Sequence, residues 1–311
     1  AQRPDVSNEQ KRDIAFQLLE DGAKEEAVAV FMRLAETESA MGANVEQLLH
    51  LWGPRPPAAG IEWLAERART APARDRWRWL QRLFEAGSHQ EVVELVEAEH
   101  PQGPLPDFNM LETYVYALQK LGRNSQVEQV LDANVRADAS VASLRLLARL
   151  AQAMEARQAS IRAFELLLHR APEDAEAHRF LGFATYFQGK HELAEQHLKT
   201  YLHHQPDDTD ALFHYAEVLR HQGHHGAARS FYHRAAKNLR EIRDGSLAHA
   251  VLEAQLLDRL GKHEQAFDLF THLLQRHPRN AGLRAEFASL LMDNRRFDAA
   301  AALLQEGDAT R

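Results

Sequence analysis

The chain has no cysteine in 311 residues. Disulfides, thiolate metal sites and cysteine nucleophiles are excluded together, and no redox compartment is indicated. No stretch approaches the roughly 18 uninterrupted apolar residues of a membrane helix, so this segment is not expected to insert into a bilayer. No signal-peptide pattern opens the sequence. A start at Ala1 suits a piece of a longer protein, and then the missing signal says nothing of the parent. Lysine is scarce, at seven against thirty arginines, and Asp plus Glu outnumber the basic residues by 45 to 37. The resulting net charge of −8 argues against nucleic acid, whose binders show a basic balance or stripe. Catalytic signatures are missing as well. His191-Glu192 is followed by His197, the wrong spacing for two zinc ligands on one helix face. No G-x-S-x-G, P-loop or G-x-G-x-x-G appears, and no convincing strand could carry one. Neither catalysis, a cofactor nor a metal site is expected.

What is abundant is helix-forming residues in amphipathic register. Ala175 to Pro206 reads as two helices folded back on each other. The first carries Phe180, Leu181, Phe183 and Ala184 and stops near Gly189, which adopts φ > 0 at little cost. The second carries Leu193, Ala194, Leu198 and Leu202 and ends before Pro206. Gly182 and Ala194 are small where two helix backbones would press together, and Leu198 is large enough to fill the neighbouring gap.

The same order recurs. Thr209 opens a unit with Ala216, Gly223, Ala228 and Tyr232 at matching offsets. Leu247 opens another with Ala254, Gly261, Ala266 and Phe270, after extra residues around Arg243–Ser246. Ala281 opens the last, with Arg295 where the turn glycine is expected, and Val141 begins a unit that also lacks that glycine. Near the start, Ser7 is a candidate N-cap with Gln10 completing a capping box, and Ala15, Gly22, Ala27 and Phe31 fall on the template. Between them the pattern loosens: Gly53–Pro57 replaces a turn, and His100–Pro106 is the strongest break, either a longer loop or a hinge. Nine helical pairs are expected, beginning near residues 8, 41, 73, 108, 141, 175, 209, 247 and 281. Residues 1–7 are read as a disordered lead, 8–106 as degenerate repeats and 107–311 as regular ones.

This small, turn, small, large, Pro order resembles the tetratricopeptide repeat, a 34-residue helix–turn–helix unit. The resemblance implies an all-α fold, a right-handed superhelical solenoid whose groove is lined by the first helix of each pair. It also implies binding of another protein or peptide, not catalysis. A second resemblance is carried by the Arg-, Ala- and His-rich array and the Trp52–Pro56 turn. These look like the periplasmic repeat regions of bacterial exopolysaccharide export proteins of the Pel and cellulose systems. That implies a periplasmic scaffold binding a partner enzyme, such as one that modifies polysaccharide.

Placing the family's inward positions on this sequence implies a partner-binding groove of Trp77, Tyr116, Arg145, Arg149, Arg179, Phe183, Tyr186, Phe213, Arg220 and His221, with Gln81 and Phe187 beside them. Aromatic and Arg residues dominate interface energetics. A run of inward Arg suggests an acidic or aromatic-bearing partner segment, although pairing with Glu and Asp of neighbouring units is an equal alternative. The runner-up function is direct binding or conduction of polysaccharide, with groove aromatics stacking on sugar rings. Histidine numbers 18, of which 15 lie between His169 and His277. Solvated helix ends are the plain reading of these, and metal binding or a pH-sensitive surface is the alternative.

Overall fold

A computed structural model describes residues 7–101, 104–241 and 245–308, with side chains through Gln305. The rest of the expected lead, Gly103 in the Pro-rich break, and Arg243 and Asp244 in the insertion lie outside the described residues. Among those described, the structure is all helix, with eighteen helices in nine consecutive pairs and no strand. The chain separates into two compact units, one ending at Ala163 and the other starting at Phe164.

The first unit holds α1 (Asn8–Glu20) and α2 (Lys24–Ala35), α3 (Ala43–Trp52) and α4 (Ala58–Thr70), α5 (Ala73–Glu85) and α6 (His89–Glu99). It continues with α7 (Phe108–Lys120), α8 (Asn124–Asn134), α9 (Val141–Ala153) and the start of α10 (Arg157–Arg170). The second holds α11 (Ala175–Phe187), α12 (His191–His204), α13 (Thr209–His221) and α14 (His225–Glu241). It ends with α15 (Leu247–Arg259), α16 (His263–Arg276), α17 (Ala281–Asp293) and α18 (Phe297–Asp308). Eight of the nine first helices open at the residue expected from the repeat, and the second pair opens at Ala43 instead of 41.

Local chemistry sets these boundaries. Ser7 accepts from the Gln10 N–H while the Gln10 side chain accepts from the Ser7 N–H, a complete capping box. Asp107, Ser140, Asp174, Asp208, Ser246 and Asn280 cap later first helices with their side chains. Within pairs the turn needs a left-handed residue: Gly189, Gly223 and Gly261 have φ of 72°, 82° and 81°. Where that glycine is missing, Glu155 and Arg295 take the same conformation, at φ 58° and 60°. A residue with a Cβ adopts it at a cost of about 1–2 kcal/mol.

The small positions lie where helices meet. Ala194 and Leu198 are fully buried, and a Cβ added to Gly182 would stand 2.8 Å from Leu198 Cγ. Ala216, Ala228 and Tyr232, and Ala254, Ala266 and Phe270, are buried at the matching positions of the next pairs. In the irregular second pair the small residue is Gly60, under the Trp52 ring. There Pro57 occupies the N-cap and α4 begins at Ala58. Trp52, Trp63 and Trp79 stack edge to face with centroids 6.2 and 5.8 Å apart, and Arg67 lies over Trp63 and Trp79.

Candidate functional site: the first-helix face of the second unit

The ten expected groove residues divide between the units. Trp77, under the Arg78 guanidinium, and Tyr116, 6.4 Å from Phe84, are half-buried in the first unit. Arg145 and Arg149 lie there too, and each is engaged by other groups of the chain. The remaining six, Arg179, Phe183, Tyr186, Phe213, Arg220 and His221, are brought together on α11 and α13.

The repeat explains why they meet. Tyr186, Arg220, Asp258 and Met292 each stand eleven residues after the start of their first helix, and Phe187, His221, Arg259 and Asp293 stand twelve after. Equal offsets on stacked helices form columns, so α11, α13, α15 and α17 present one face. At its α11 end that face is aromatic. The His214 imidazole lies 4.8–5.6 Å, centroid to centroid, from Phe183, Tyr186, Phe187 and Phe213. Its Nδ1–H donates to the Asp210 carbonyl (2.8 Å), and burial lowers its pKa. Phe213 is itself buried against Tyr232 and belongs to the core. Phe187 is the opposite, 73% exposed although ring-packed on Tyr186. His191 stacks on His221 at 4.6 Å with rings nearly parallel.

The middle of the face is ionic. Glu217 on α13 is 2% exposed and accepts from Arg259 Nε (2.7 Å), Arg220 Nη2 (2.8 Å) and the Tyr232 hydroxyl. Burial alone would raise its pKa, but the bonds from Arg259, Arg220 and Tyr232 win and hold it at about 2. Burial and Glu217 push the Tyr186 hydroxyl up to about 12. Asp258 on α15 is 4% exposed and accepts from Arg259 (2.8 Å), Asn294 (2.7 Å) and His263 (2.7 Å). Arg259 reaches Asp293 on α17 as well, at 3.1 Å. Arg179 stacks over Phe183 at 4.8 Å, donates to Asp208 at 3.2 Å and lies 3.8 Å from Asp210. Asp208 is opposed by its own burial, yet bonds from the Ala211 N–H, the Tyr201 hydroxyl and Arg179 keep its pKa low.

Every expected groove arginine is therefore occupied within the chain. Sequence reasoning did not single out Glu217, Asp258, Arg259 or His214. The signal was present: Glu217 has the offset of Phe183, and Arg259 that of Phe187 and His221. Among the described residues no three His, Asp or Glu side chains gather as a metal site. Histidines pair instead: His178 Nδ1 lies 3.0 Å from His197 Nδ1 while His178 Nε2–H donates to Pro172 O at 2.7 Å. No described helix is long and apolar enough to cross a membrane.

Tetratricopeptide repeat family models match residues 184–241 and 259–311. Both stretches are similar to tetratricopeptide repeats. They contain most of the face just described, including His214, Glu217, Arg220, Arg259 and Asp293. No curated protein matches the chain by sequence. Among solved structures, a MamA protein is similar over 56% of this chain and 93% of its own, at 16% identity and a TM-score of 0.39. A tetratricopeptide repeat protein from Parabacteroides merdae is similar over 92% and 98%, at 12% identity and TM-score 0.43. The Cut9–Hcn1 hetero-tetramer of the APC/C is similar over 97% of this chain and 52% of the matched one, at 13% identity and TM-score 0.47.

Proposed function

We propose that this protein is a non-catalytic scaffold that binds a segment of another protein on the first-helix face of its second unit. One observation carries the reading. Phe187 is exposed beside Tyr186 and His214 at the edge of a face whose charged groups are already paired. A large aromatic left in water beside a rigid, preorganised polar surface is the composition of an interface centre, where aromatics dominate binding. The buried ion network fixes the shape of that surface; the exposed ring supplies area to cover.

Affinity capture from the native host, with wild type and the Tyr186→Ala, Phe187→Ala double variant side by side, tests it. The expected outcome is a protein retained by wild type and lost by the variant, whose helical content is unchanged. Equal retention by both would remove the face from the account. Stacking of a sugar ring on Phe187 is the other use of this patch, and a glycan array read with the same two proteins separates the two. The periplasmic setting, and a partner enzyme of an exopolysaccharide secretion assembly, rest on the sequence resemblance alone. Fractionation of the host, with the retained protein identified by mass spectrometry, tests that finer proposal.

A further inference from the structure

Resting on that reading, we infer that the segment bound by the second unit is basic: it brings lysine or arginine to the face. Arg179, Arg220 and Arg259 stand among five carboxylates, Asp208, Asp210, Glu217, Asp258 and Asp293. The face thus carries two more carboxylates than arginines. Each arginine already has at least one carboxylate partner, so a partner's carboxylate would meet no unpaired cation there. It would also be repelled by the surplus negative charge.

The carboxylates differ in what they offer. Glu217 and Asp258 are buried and saturated by bonds from within the chain. Asp210 and Asp293 keep 58% and 51% of their side chains exposed, and the Arg179–Asp210 approach is a loose 3.8 Å. These two acceptors lie on α13 and α17. Phe187, on α11, adds a third feature of the same preference, since an open aromatic face attracts a cation. The nearby arginines are committed elsewhere, Arg179 to the Phe183 ring and Arg220 to Glu217. Met292, 48% exposed, follows Tyr186, Arg220 and Asp258 in their column and supplies an apolar contact at the far end. A segment with cationic side chains around an apolar residue matches this sequence of features.

The test uses three fluorescein-labelled 15-residue peptides of one apolar pattern, carrying lysine, glutamine or glutamate at the same variable positions. Binding to the full chain is followed by anisotropy at low and high salt. The lysine peptide should bind at least about tenfold tighter than the glutamate peptide, a preference that narrows at high salt as exposed charges are screened. Asp210→Asn and Asp293→Asn should each weaken the lysine peptide by roughly threefold, and Phe187→Ser by roughly fivefold. Asp268→Asn, an exposed charge on α16, should leave it unchanged and so controls for attraction to the acidic chain as a whole. A preference for the glutamate peptide that Phe187→Ser abolishes would overturn the basic inference and leave the binding face standing. Binding of any of the three that all face variants leave intact would overturn both.

Discussion

The two units use the same helical hairpin and differ in what they do with polar side chains. In the first, Arg76 donates to the carbonyls of Ala68, Arg69 and Ala71, and Arg82 to that of Ala40, while their carboxylate partners Glu99, Glu46 and Glu85 are exposed or half-buried. Those carbonyls lie at the C-terminal end of α4 and in the connection between α2 and α3. In the second unit arginines bind buried carboxylates. Among the described residues Glu217 and Asp258 are the carboxylates that fall below a tenth exposed, and both are on its first helices. The difference teaches that irregularity and function are separate matters. The less regular unit keeps its carboxylates at the surface, while the more regular one buries two of them in a charged, preorganised face.

The largest expected effects would break this comparison. Glu217→Ala leaves Arg259, Arg220 and Tyr232 without their shared acceptor and should cost about 3–5 kcal/mol. Hydrogen exchange should locate the lost protection on α13 to α17. Glu217→Gln, which keeps the shape and one acceptor, should cost less. Trp79→Ala should cost a similar amount, about 3–5 kcal/mol, by cavity formation in the first unit. Its lost protection should lie on α4 and α5. If Glu217→Ala proves nearly neutral, the buried network is not what shapes the second unit.

Next comes packing. Gly182→Ala should destabilise by about 1–3 kcal/mol, because its Cβ meets Leu198, which is fully buried and has nowhere to move. Gly182→Leu should be worse. Adding Leu198→Ala to Gly182→Ala should cost less than the two single changes summed, as residues in contact do. Strict additivity in urea unfolding would place the crossing elsewhere.

Acid sharpens the contrast. Burial holds His197, His214 and His221 below the ordinary histidine value of 6.5, so the unfolded chain takes up protons first. Stability of the second unit should therefore fall as pH drops below about 6.5. Glu217 is lowered as well, from 4.5 to about 2, and adds a second loss between those values as its partners lose a charged acceptor. In the first unit His89 is displaced in this sense, by burial and by Lys120. Exchange protection measured at pH 8, 6 and 4 should fade in the second unit first; uniform fading would contradict this.

The smallest effects are at the turns. Glu155→Gly and Arg295→Gly relieve a left-handed backbone, one in each unit, and should each stabilise by about 1 kcal/mol in thermal unfolding. A loss at either would mean that its side chain holds the turn.

The helices were readable because the repeat is written in residue types with strict local duties. Gly182, Ala194 and Leu198 state a crossing, and Gly189 states a turn, whatever the rest of the chain does. The face was readable only as a set of positions. In the sequence Arg179 and Arg220 are equally cations for a partner or pairs of neighbouring acids; which acids they meet, Asp208 at an N-cap and Glu217 in mid-helix, pattern alone does not tell. Phe213 and Phe187 are both aromatic and both inward by template, yet one is core and the other is in solvent. That distinction depends on what the neighbouring helices bring up, such as Tyr232 of α14 against Phe213.

A photo-reactive benzoylphenylalanine in place of Phe187, compared with one at the exposed Lys199 of α12, tests the central claim in the native host. The account predicts a discrete protein cross-link from position 187, absent from position 199 and absent at 187 once Asp210→Asn and Asp293→Asn are added. Cross-links from 199 alone, or from 187 regardless of those two charges, would contradict it.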